Sequence, residues 1–340
     1  MGGKGMNIRD IARLADVSPG TVSKVLNNYS DISETTRRRV LQVIQENQYD
    51  SRSNPRSPKS GNPTVGLVLE GVYNDIYNVL EDLLSVRIHN SGCTLISFHD
   101  NYFSQDKLEK FGELKDNVER SRLCGLIYIG GNFQSIPGET LDSLPCPTVF
   151  VNTVLPERSD RCNYSSVQVS HYEAARMQMQ HLIDKGHRDI CTVISSTRDI
   201  SVYGLRTQGY RDALTQNGLT VNLDRFLCCD YEIPKAYGAV LAQLRKSPEI
   251  TAVCCAADIV VPGVLRAIYD LGKIPGKDVD VISFDGLTQM AYCIPSVTTF
   301  AQPLREIVGY SYDLLFGMIG KEREHQRITF QPIFLKRESC

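Results

Sequence analysis

Residues 6–28 read MNIRDIARLADVSPGTVSKVLNN and contain two short amphipathic segments separated by a turn. In the first segment four apolar residues have the i, i+3, i+4, i+7 spacing of one helix face: Ile8, Ile11, Ala12 and Ala15. A tight turn is predicted at Asp16-Val17. Ser18 and Pro19 follow, and these residue types suit the N-cap and the first position of a second helix. The stretch therefore predicts a helix-turn-helix.

The second helix has an apolar face and a polar face. The residues of its buried face are Val22, Val25 and Leu26. The residues of its outer face are Gly20, Thr21, Ser23 and Lys24. Such short polar side chains with one cation can approach base edges and phosphates without steric conflict. A third helix is predicted from an N-cap at Ser33 to about Asn47. Two short helices in any bundle would show the same periodicity, so the spacing alone leaves that alternative open.

The individual residues of this stretch identify it more specifically than its periodicity does. IRDIARLADVSPGTVSKVLNN, followed by ISETTRRRVLQVIQENQYD, closely resembles the N-terminal domain of the LacI/GalR (lactose-repressor) family of bacterial transcription regulators. The resemblance implies that a homodimer binds a pseudo-palindromic double-stranded DNA operator. The DNA-binding residues are then Asn7, Ser18, Pro19, Gly20, Thr21, Ser23, Lys24, Asn27, Ser33, Thr36 and Arg37. For Arg38 and Arg39, a solvated charge run is an equally good explanation.

The length and the charge distribution of the chain are consistent with a small basic N-terminal domain, called the head, joined to a larger acidic domain. The 340 residues suffice for two or three domains. Residues 1–60 hold ten Lys and Arg against six Asp and Glu, whereas the rest of the chain holds 27 against 33. No apolar stretch has the length of a membrane span, and the N-terminus lacks the pattern of a signal peptide. We therefore expect a cytoplasmic protein without a membrane contact, associated with the nucleoid when it is bound to DNA.

The chain has eleven cysteines and no C-x-x-C spacing. An odd number of cysteines without a secretion signal favours reduced, mostly buried thiols over disulfides or a metal site. We expect neither a metal nor another cofactor.

Residues 51–63, SRSNPRSPKSGNP, are a linker by composition. The family usually has a short hinge helix here, which forms on operator binding and inserts a leucine into the minor groove. Pro55 and Pro58 oppose such a helix, because proline inside a helix costs about 3 kcal/mol. We therefore expect the hinge helix to be absent. The cations left to contact phosphates in this linker are Arg52, Arg56 and Lys59.

From residue 64 onwards, apolar runs of strand length alternate with helical segments. The predicted buried strands are 65–69, 93–98, 123–129, 147–151, 190–195, 226–229, 251–256 and 279–284. Two of the helical segments lie near 75–91 and 104–120. This alternation predicts parallel sheets that are covered on both faces. Two sets of four strands predict two similar lobes, with ligands binding between them beyond the carboxyl ends of the strands.

The resemblance continues through this part of the chain. HLIDKGHRDI (181–190), LRTQGYRDAL (205–214), GKIPGKDVDVISFDG (272–286) and LKRES (335–339) are similar to phrases of the family's sensor domain. The fold class that it implies is an α/β two-lobed periplasmic-binding-protein-like sensor domain with an N-terminal all-α helix-turn-helix DNA-binding domain. The domains expected are the head at 6–50, the linker at 51–63, and the effector-binding and dimerisation domain at 64–340 with two interleaved lobes.

The same resemblance implies a small-molecule effector, a sugar or a derivative, between the lobes. Arg206 is similar to an arginine that contacts the effector in many relatives, and its fork of donors suits vicinal hydroxyls or a carboxylate. The alternative is a surface arginine in a helix. Asp285 directly follows a strand and can accept two hydroxyl hydrogen bonds, or can cap the next turn instead. The other effector-binding candidates are Asn132, Asn74, Asp75 and Asp258.

One departure from the family concerns the effector directly. Sugar-binding relatives commonly have Asn-Asp after the strand TAVCCA, whereas this chain has Ala257 and Asp258. Alanine cannot make the amide hydrogen bonds to adjacent hydroxyls, each worth about 1 kcal/mol. The chain also has no tryptophan, so a stacking platform has to be Tyr or Phe. Either the ligand differs from a common sugar, or the affinity for a sugar comes from other contacts.

The function predicted is that of a sequence-specific DNA-binding transcription regulator, most simply a repressor. Its effector changes the orientation of the lobes and thereby the spacing of two DNA-reading heads. The alternatives are a degenerate member that binds DNA without a small-molecule effector, and a sugar-binding protein of the transport type. We do not expect an enzyme, because Walker, G-x-S-x-G and H-E-x-x-H motifs are absent. The chain stops at Cys340 without the C-terminal helix that makes some relatives tetrameric, so we expect a dimer.

Overall fold

The computed structural model describes residues 12–18, 21–22, 25, 33–46, 62–70, 75–99, 107–156, 163–195 and 202–340. The chain divides into two compact units, Met1–Gly61 and Asn62–Cys340. The boundary between these units lies inside the segment for which we predicted a linker. The prediction that Pro55 and Pro58 exclude a hinge helix concerns residues outside the described part.

The first unit contains helical residues at 12–14 and the helix α1 (Glu34–Glu46). Its small core consists of buried Ala12, Ala15, Val22, Val25 and Val40, with Val17 and Val43 packed against it. Small residues at these positions allow the short helices to approach one another closely. Because helices of this length are not stable alone in water, this packing is what stabilises them.

The second unit contains twelve strands among the described residues. They are β1 (Thr64–Leu69), β2 (Thr94–His99), β3 (Gly125–Ile129), β4 (Thr148–Val151), β5 (Tyr164–Val169), β6 (Ile190–Ile194), β7 (Phe226–Cys228), β8 (Ala252–Cys255), β9 (Asp280–Asp285), β10 (Thr298–Ala301), β11 (Arg327–Phe330) and β12 (Ile333–Leu335). Its helices are α2 (Asp75–Asn90), α3 (Lys107–Ser121), α4 (Gly138–Asp142), α5 (His171–Asp184), α6 (Val202–Gln216), α7 (Ile233–Lys246), α8 (Val261–Asp270) and α9 (Leu304–Ile319).

These strands form two six-stranded sheets, one in each of two lobes. Lobe 1 has the order β11-β5-β4-β3-β1-β2, and all of its strands are parallel. Lobe 2 has the order β12-β10-β9-β8-β6-β7, in which β12 is antiparallel to β10. The predicted fold class is therefore confirmed.

The lobes are interleaved because the chain passes between them after β5, after β10 and between β11 and β12. After the second crossing, α9 returns to lobe 1, where Asp313 forms an ion pair of 3.1 Å with Arg87 of α2. Both sheets are covered on both faces: Leu67 and Val68 of β1, for example, are buried in two different apolar clusters. Among the described helices, none is both long and apolar enough to span a membrane.

All eight predicted strands are present, but the expectation of four strands per lobe is wrong. The four strands that we did not predict are β5, β10, β11 and β12. β5 has the sequence YSSVQV, in which the buried side chains of Ser165 and Ser166 interrupt the apolar run. β10 begins with two buried threonines, and the two last strands are partly exposed at sheet edges.

Candidate functional site

The segment with the predicted helix-turn-helix contains the turn that the sequence indicates. Asp16 has a φ of 51°, and the N–H of Val17 donates to the carbonyl oxygen of Ala12 over 2.9 Å. The hydroxyl of Ser18 then accepts from the N–H of Thr21 at 3.1 Å. This is the side-chain cap of a helix N-terminus, so the predicted N-cap is confirmed at this position.

A second hydroxyl cap begins α1, because Ser33 Oγ accepts from the N–H of Thr36 at 3.2 Å. Thr36 and Arg37 lie half-buried in the first turn of this helix. Helix N-termini carry unpaired N–H groups and a positive dipole end, both of which favour phosphate. The other predicted DNA-binding residues lie outside the described part of the chain: Asn7, Pro19, Gly20, Ser23, Lys24 and Asn27.

In the second unit, Arg206 of α6 is only 1 % exposed. Its Nε and Nη2 lie 3.2 and 3.1 Å from His171 Nδ1. Its Nη1 donates to the carbonyl oxygen of Ala256, and its Nη2 lies 3.4 Å from Asp285 Oδ1. The guanidinium carbon lies 4.1 Å from the centroid of the Phe284 ring. The alternative of a surface arginine is therefore wrong. Acceptors within the protein already bind much of the guanidinium group that we expected to bind an effector.

His171, the first residue of α5, was not among the predicted site residues. Burial, together with the positive charge of Arg206, lowers the pKa of this imidazole well below its usual range. The ring is therefore neutral, and since Nδ1 accepts from Arg206, the proton lies on Nε2. This Nε2 is buried and has no hydrogen-bond partner among the described residues. It is a donor that a ligand or a water can use.

Asp285 is the last residue of β9 and is buried. Its φ of 114° is rare for a side-chain-bearing residue, and Gly286 with a φ of 81° continues the turn. A Cβ at Gly286 would overlap Ala301, so only glycine fits. Burial raises the pKa of Asp285, against the opposing effect of Arg206. Gln302 Nε2 donates to Asp285 Oδ1 at 2.8 Å, while Oδ2 has no partner among the described residues.

Asp258 follows β8 and is buried next to Asp285. Its Oδ2 accepts from the N–H of Leu287 at 2.7 Å, and its Oδ1 accepts from the hydroxyl of Thr299 at 3.1 Å. Burial and the charge of Asp285 raise the pKa of Asp258 to about 7. The neighbouring Ala257 is also buried. These bonds give Asp258 an internal role, and its contact with an effector stays a prediction.

Lobe 1 contributes a polar group that the sequence analysis missed. Glu70, directly after β1, forms an ion pair with Lys110 at 2.7 Å and accepts from the hydroxyl of Tyr128 at 2.7 Å. Gly131 at the end of β3 has a φ of 76°, which side-chain-bearing residues rarely adopt, and a Cβ there would also meet the Glu70 carboxylate. Two strand ends of lobe 1 thus enclose a fixed carboxylate.

Three further residues of lobe 1 were predicted to bind the effector. Asn132 is half-buried, and its Oδ1 accepts from the N–H of Gln134 at 2.8 Å. Asp75 is the exposed first residue of α2. Asn74 lies outside the described residues. Four undescribed segments, 71–74, 100–106, 157–162 and 196–201, come after β1, β2, β4 and β6 in sequence.

A cavity of about 600 Å³ lies at the carboxyl ends of β7 and β8. The residues that line it are Asp230, Tyr231, Glu232, Ile233, Pro234 and Ile259. Lys235 forms ion pairs of 2.8 Å with both Asp230 and Glu232 and thereby neutralises part of their charge. Tyr231 is an aromatic side chain at the position where ligands of parallel sheets bind. The sequence analysis expected a Tyr or Phe as the stacking platform for the effector but did not name Tyr231.

A helix-turn-helix head joined to a two-lobed α/β domain defines a class of DNA-binding transcription regulators. The family profile described as "Bacterial regulatory proteins, lacI family" matches residues 7–51, and the profile of a periplasmic binding protein-like domain matches residues 179–340. The transcriptional regulator MalR of Clostridium butyricum is 30% identical over 337 residues, with 98% of this chain and 99% of MalR covered. The chain belongs to the lacI family of bacterial regulatory proteins, and it is a DNA-binding transcription regulator.

Other relatives and solved structures agree with this assignment. Catabolite control protein A of Priestia megaterium is 28% identical over 332 residues, which cover 96% of each chain. The structure of the transcriptional regulator CelR with cellobiose has a TM-score of 0.69 at 24% identity and covers 98% of this chain and 100% of CelR. The Lac repressor dimer bound to operator and the anti-inducer ONPF has a TM-score of 0.68 at 22% identity, with 99% of both chains covered. These two structures share the fold.

Proposed function

We propose that this regulator is a dimeric repressor whose affinity for a pseudo-palindromic operator is set by a sugar-like effector bound between the two lobes. The observation that carries this proposal is a pair of unpartnered buried atoms in lobe 2, one at the end of β9 and one at the start of α5. Asp285 Oδ2 is an acceptor and His171 Nε2 is a donor, and neither has a partner among the described residues. A sugar hydroxyl donates and accepts at once, so it suits such a pair.

The effector contacts that we assign combine direct and positioning groups. Asp285 accepts from hydroxyl groups, while Arg206 holds Asp285 and His171 in place from behind. From lobe 1 we assign Asn132, Asn74 and Asp75 as further contacts, and Asp258 fixes the turn that follows Asp285. Tyr231 supplies the apolar surface on which a sugar ring packs.

We assign the size of the ligand from the cavity beside Tyr231, whose lining does not include Asp285 or His171. Its volume of about 600 Å³ exceeds the space that one sugar ring needs and falls in the usual range of small-molecule sites. The solved CelR complex contains cellobiose, a sugar of two rings. We therefore favour an effector of disaccharide size over a single sugar.

Effector binding is coupled to DNA binding because the effector shifts the population between different relative orientations of the two lobes. An effector that contacts both lobes stabilises the orientation in which its contacts are best. The hydrogen bond between Asn152 of lobe 1 and Gln302 at the second crossing transmits this orientation, since Gln302 also binds Asp285. In a dimer, a change of lobe orientation alters the spacing of the two heads and hence the match to two half-sites.

The heads bind DNA through the residues that the family resemblance implies. Ser18 and Ser33, at the capped helix starts, and Thr36 and Arg37 contact phosphates, which gives affinity without sequence information. Thr21 lies in the second helix, to which we assign the reading of the bases. The other DNA contacts that the family resemblance implies are Asn7, Pro19, Gly20, Ser23, Lys24 and Asn27.

The dimer surface includes a loop with two strongly exposed apolar side chains. Tyr292 is 82 % exposed and Ile294 is 94 % exposed in the loop before β10. Large apolar side chains that extend into solvent in one loop are typical of a protein interface. A second copy of the chain is the partner that we assign to this loop. The protein acts in the cytoplasm, at its operators, and has no catalytic role.

The test is a DNA titration of the full-length protein across salt concentrations, with its own upstream DNA and pools of mono- and disaccharides, sugar phosphates and purines. We expect log affinity to fall with log salt at a slope of about −0.9 per phosphate contacted, and one sugar pool to change the affinity. The variant Asp285→Ala should keep DNA binding and lose the response to that pool.

Two outcomes would contradict the proposal in different ways. Specific DNA binding that no pool changes would support the degenerate member without an effector. A response to a purine or sugar-phosphate pool alone would keep the regulator and replace the effector class. The variant Arg37→Ala serves as a check on the head, because losing one phosphate contact should weaken binding to all sequences and reduce the salt slope by about 1.

A further inference from the structure

Lobe 2 has a groove on the side of α5 that the effector cleft does not use. It has a volume of about 330 Å³ and lies between the outer face of α5 and the strands β10 and β12. β12 is the edge strand of its sheet. The groove is thus open to solvent along one side, and none of the residues assigned above to DNA or effector lines it.

The floor of the groove is aromatic. Phe334 of β12 is 39 % exposed, and its ring centroid lies 4.9 Å from that of Phe300 and 4.8 Å from that of His181. Met177 of α5, also partly exposed, lines the same groove. Such a surface favours a planar ring, which can stack on Phe334 and contact the thioether of Met177.

The helix side of the groove carries two buried nitrogen atoms without partners among the described residues, Arg176 Nε and His181 Nε2. The Nη1 of Arg176 is directed to Glu173, at 3.3 and 3.4 Å from its two carboxylate oxygens, so that Nε remains as a donor. Burial and the charges of Lys185 and Lys336 lower the pKa of His181, so its ring is neutral. An occupant should therefore offer a hydrogen-bond acceptor next to its ring.

The charges at the groove are mixed, because Lys185 and Lys336 lie near enough to His181 to lower its pKa. Glu173 and Asp184 are acidic, whereas Arg176 is the one basic side chain with a full charge among the residues that line the groove. Gln180 donates to one oxygen of Asp184 at 2.7 Å and leaves its other oxygen for a donor. The lining thus has one net negative charge, and a neutral ligand with both an acceptor and an N–H group fits it best.

We propose that this groove is a second small-molecule site, separate from the effector cleft, for a neutral aromatic or heteroaromatic compound that carries a carboxamide or an equivalent ring acceptor and donor. Its ring stacks on Phe334, its acceptor takes the N–H of Arg176, and its donor binds Asp184 or Glu173. The groove joins α5 and β12, the elements that begin directly after the first and third chain crossings. A ligand there bridges two segments that enter lobe 2 from lobe 1.

The experiment uses benzamide as the probe and the full-length protein. Binding is measured by ligand-observed NMR and calorimetry, with an expected Kd on the order of 1 mM for a probe of this size. Benzoate, which has the same shape and a negative charge, should bind about ten-fold more weakly. Met177→Lys, which blocks the groove from an exposed helix position, and Phe334→Leu, which removes the ring, should each weaken benzamide binding by about ten-fold.

Two controls separate this site from the cleft and from general surface effects. Leu223→Lys, at an exposed position elsewhere, and Asp285→Asn, in the effector cleft, should both leave the affinity for benzamide unchanged. The inference fails if benzamide shows no saturable binding at about twenty times the expected Kd, if Met177→Lys binds it as well as the unmodified chain does, or if Asp285→Asn abolishes binding. The last result would place the probe in the effector cleft.

Discussion

The side-chain amide of Asn152 donates from Nδ2 to Gln302 Oε1 over 2.8 Å, and both residues are buried. Asn152 follows β4 of lobe 1, and Gln302 lies at the second crossing between the lobes. The Oδ1 of Asn152 also accepts from the N–H of Val169, at the first crossing, at 3.1 Å. Gln302 in turn donates to Asp285. A series of buried hydrogen bonds therefore joins two crossings and lobe 1 to the carboxylate of Asp285, which we propose as an effector contact.

Replacing Asn152 by alanine removes two of these bonds at once. Because the amide of Gln302 and the N–H of Val169 then lose a buried partner, we expect the free energy of unfolding to fall by about 1–3 kcal/mol. Urea denaturation measures this loss. The same variant should show a smaller effect of the effector on operator affinity, since the link between lobe 1 and Asp285 is broken.

A matched control for Asn152→Ala is Gln168→Ala. Gln168 also lies in lobe 1, but its only described side-chain bond is an exposed one of 3.4 Å to Thr329. Its loss should change the free energy of unfolding by less than about 0.5 kcal/mol. Equal losses in the free energy of unfolding for the two variants would contradict a special role of the buried hydrogen bonds of Asn152.

The variant Arg206→Met tests whether Arg206 stabilises the site from within. Without the guanidinium, Asp285 loses a buried cationic partner, and breaking a buried ion pair in this way costs about 3–5 kcal/mol. Arg266→Met is the comparison, because Arg266 forms an exposed i,i+4 pair with Asp270 that contributes about 0.3–0.5 kcal/mol. Denaturation of both variants measures the difference. A loss of less than about 1 kcal/mol for Arg206→Met would show that Arg206 is not needed for folding and acts on the ligand alone.

The raised pKa of Asp258 predicts how stability changes with pH. The ordinary pKa is 3.8, and in the native state it is raised to about 7. The native state thus retains a proton that the unfolded chain releases, and this contribution to stability is complete below about pH 4 and lost as the pH rises to about 7. In Asp258→Asn no proton is released, so the fall in stability over this range should be shallower by up to about 1.4 kcal/mol per pH unit. Unfolding at several pH values measures the slope, and equal slopes would contradict the assignment.

The sequence predicts the strands with a continuous apolar run well, at the edges as well as inside the sheets, and it misses strands whose apolar run is interrupted by polar residues or, as in β12, is short. Runs such as VGLVL in β1 are apolar throughout because both faces of a parallel sheet are covered. β5 lies between β11 and β4 but contains Ser165, whose hydroxyl accepts from the N–H of Gln326 at 3.0 Å. A polar residue that is satisfied by a segment far along the chain gives no local signal of burial.

The same limit applies to the site. Asp285 was predicted because it directly follows a strand, which is a local feature. The burial of Arg206 depends on His171 and Phe284, which are distant in sequence and come together only when α5, α6 and β9 pack. No periodicity in a single segment encodes such a contact, and for this reason His171 was missed.

The exposed loop with Tyr292 and Ile294 leads to a prediction about assembly. Ile294→Asp places a charge where we assign the contact with a second copy, so the dimer should dissociate at least about ten-fold more readily. Sedimentation velocity measures the monomer fraction, and operator affinity should fall with it because a single head reads only one half-site. Leu223→Asp is the control, since Leu223 is also strongly exposed but lies outside this loop. If Ile294→Asp stays dimeric at the concentrations at which the unmodified chain does, the loop is not part of the dimer interface and another surface of the second unit must form it.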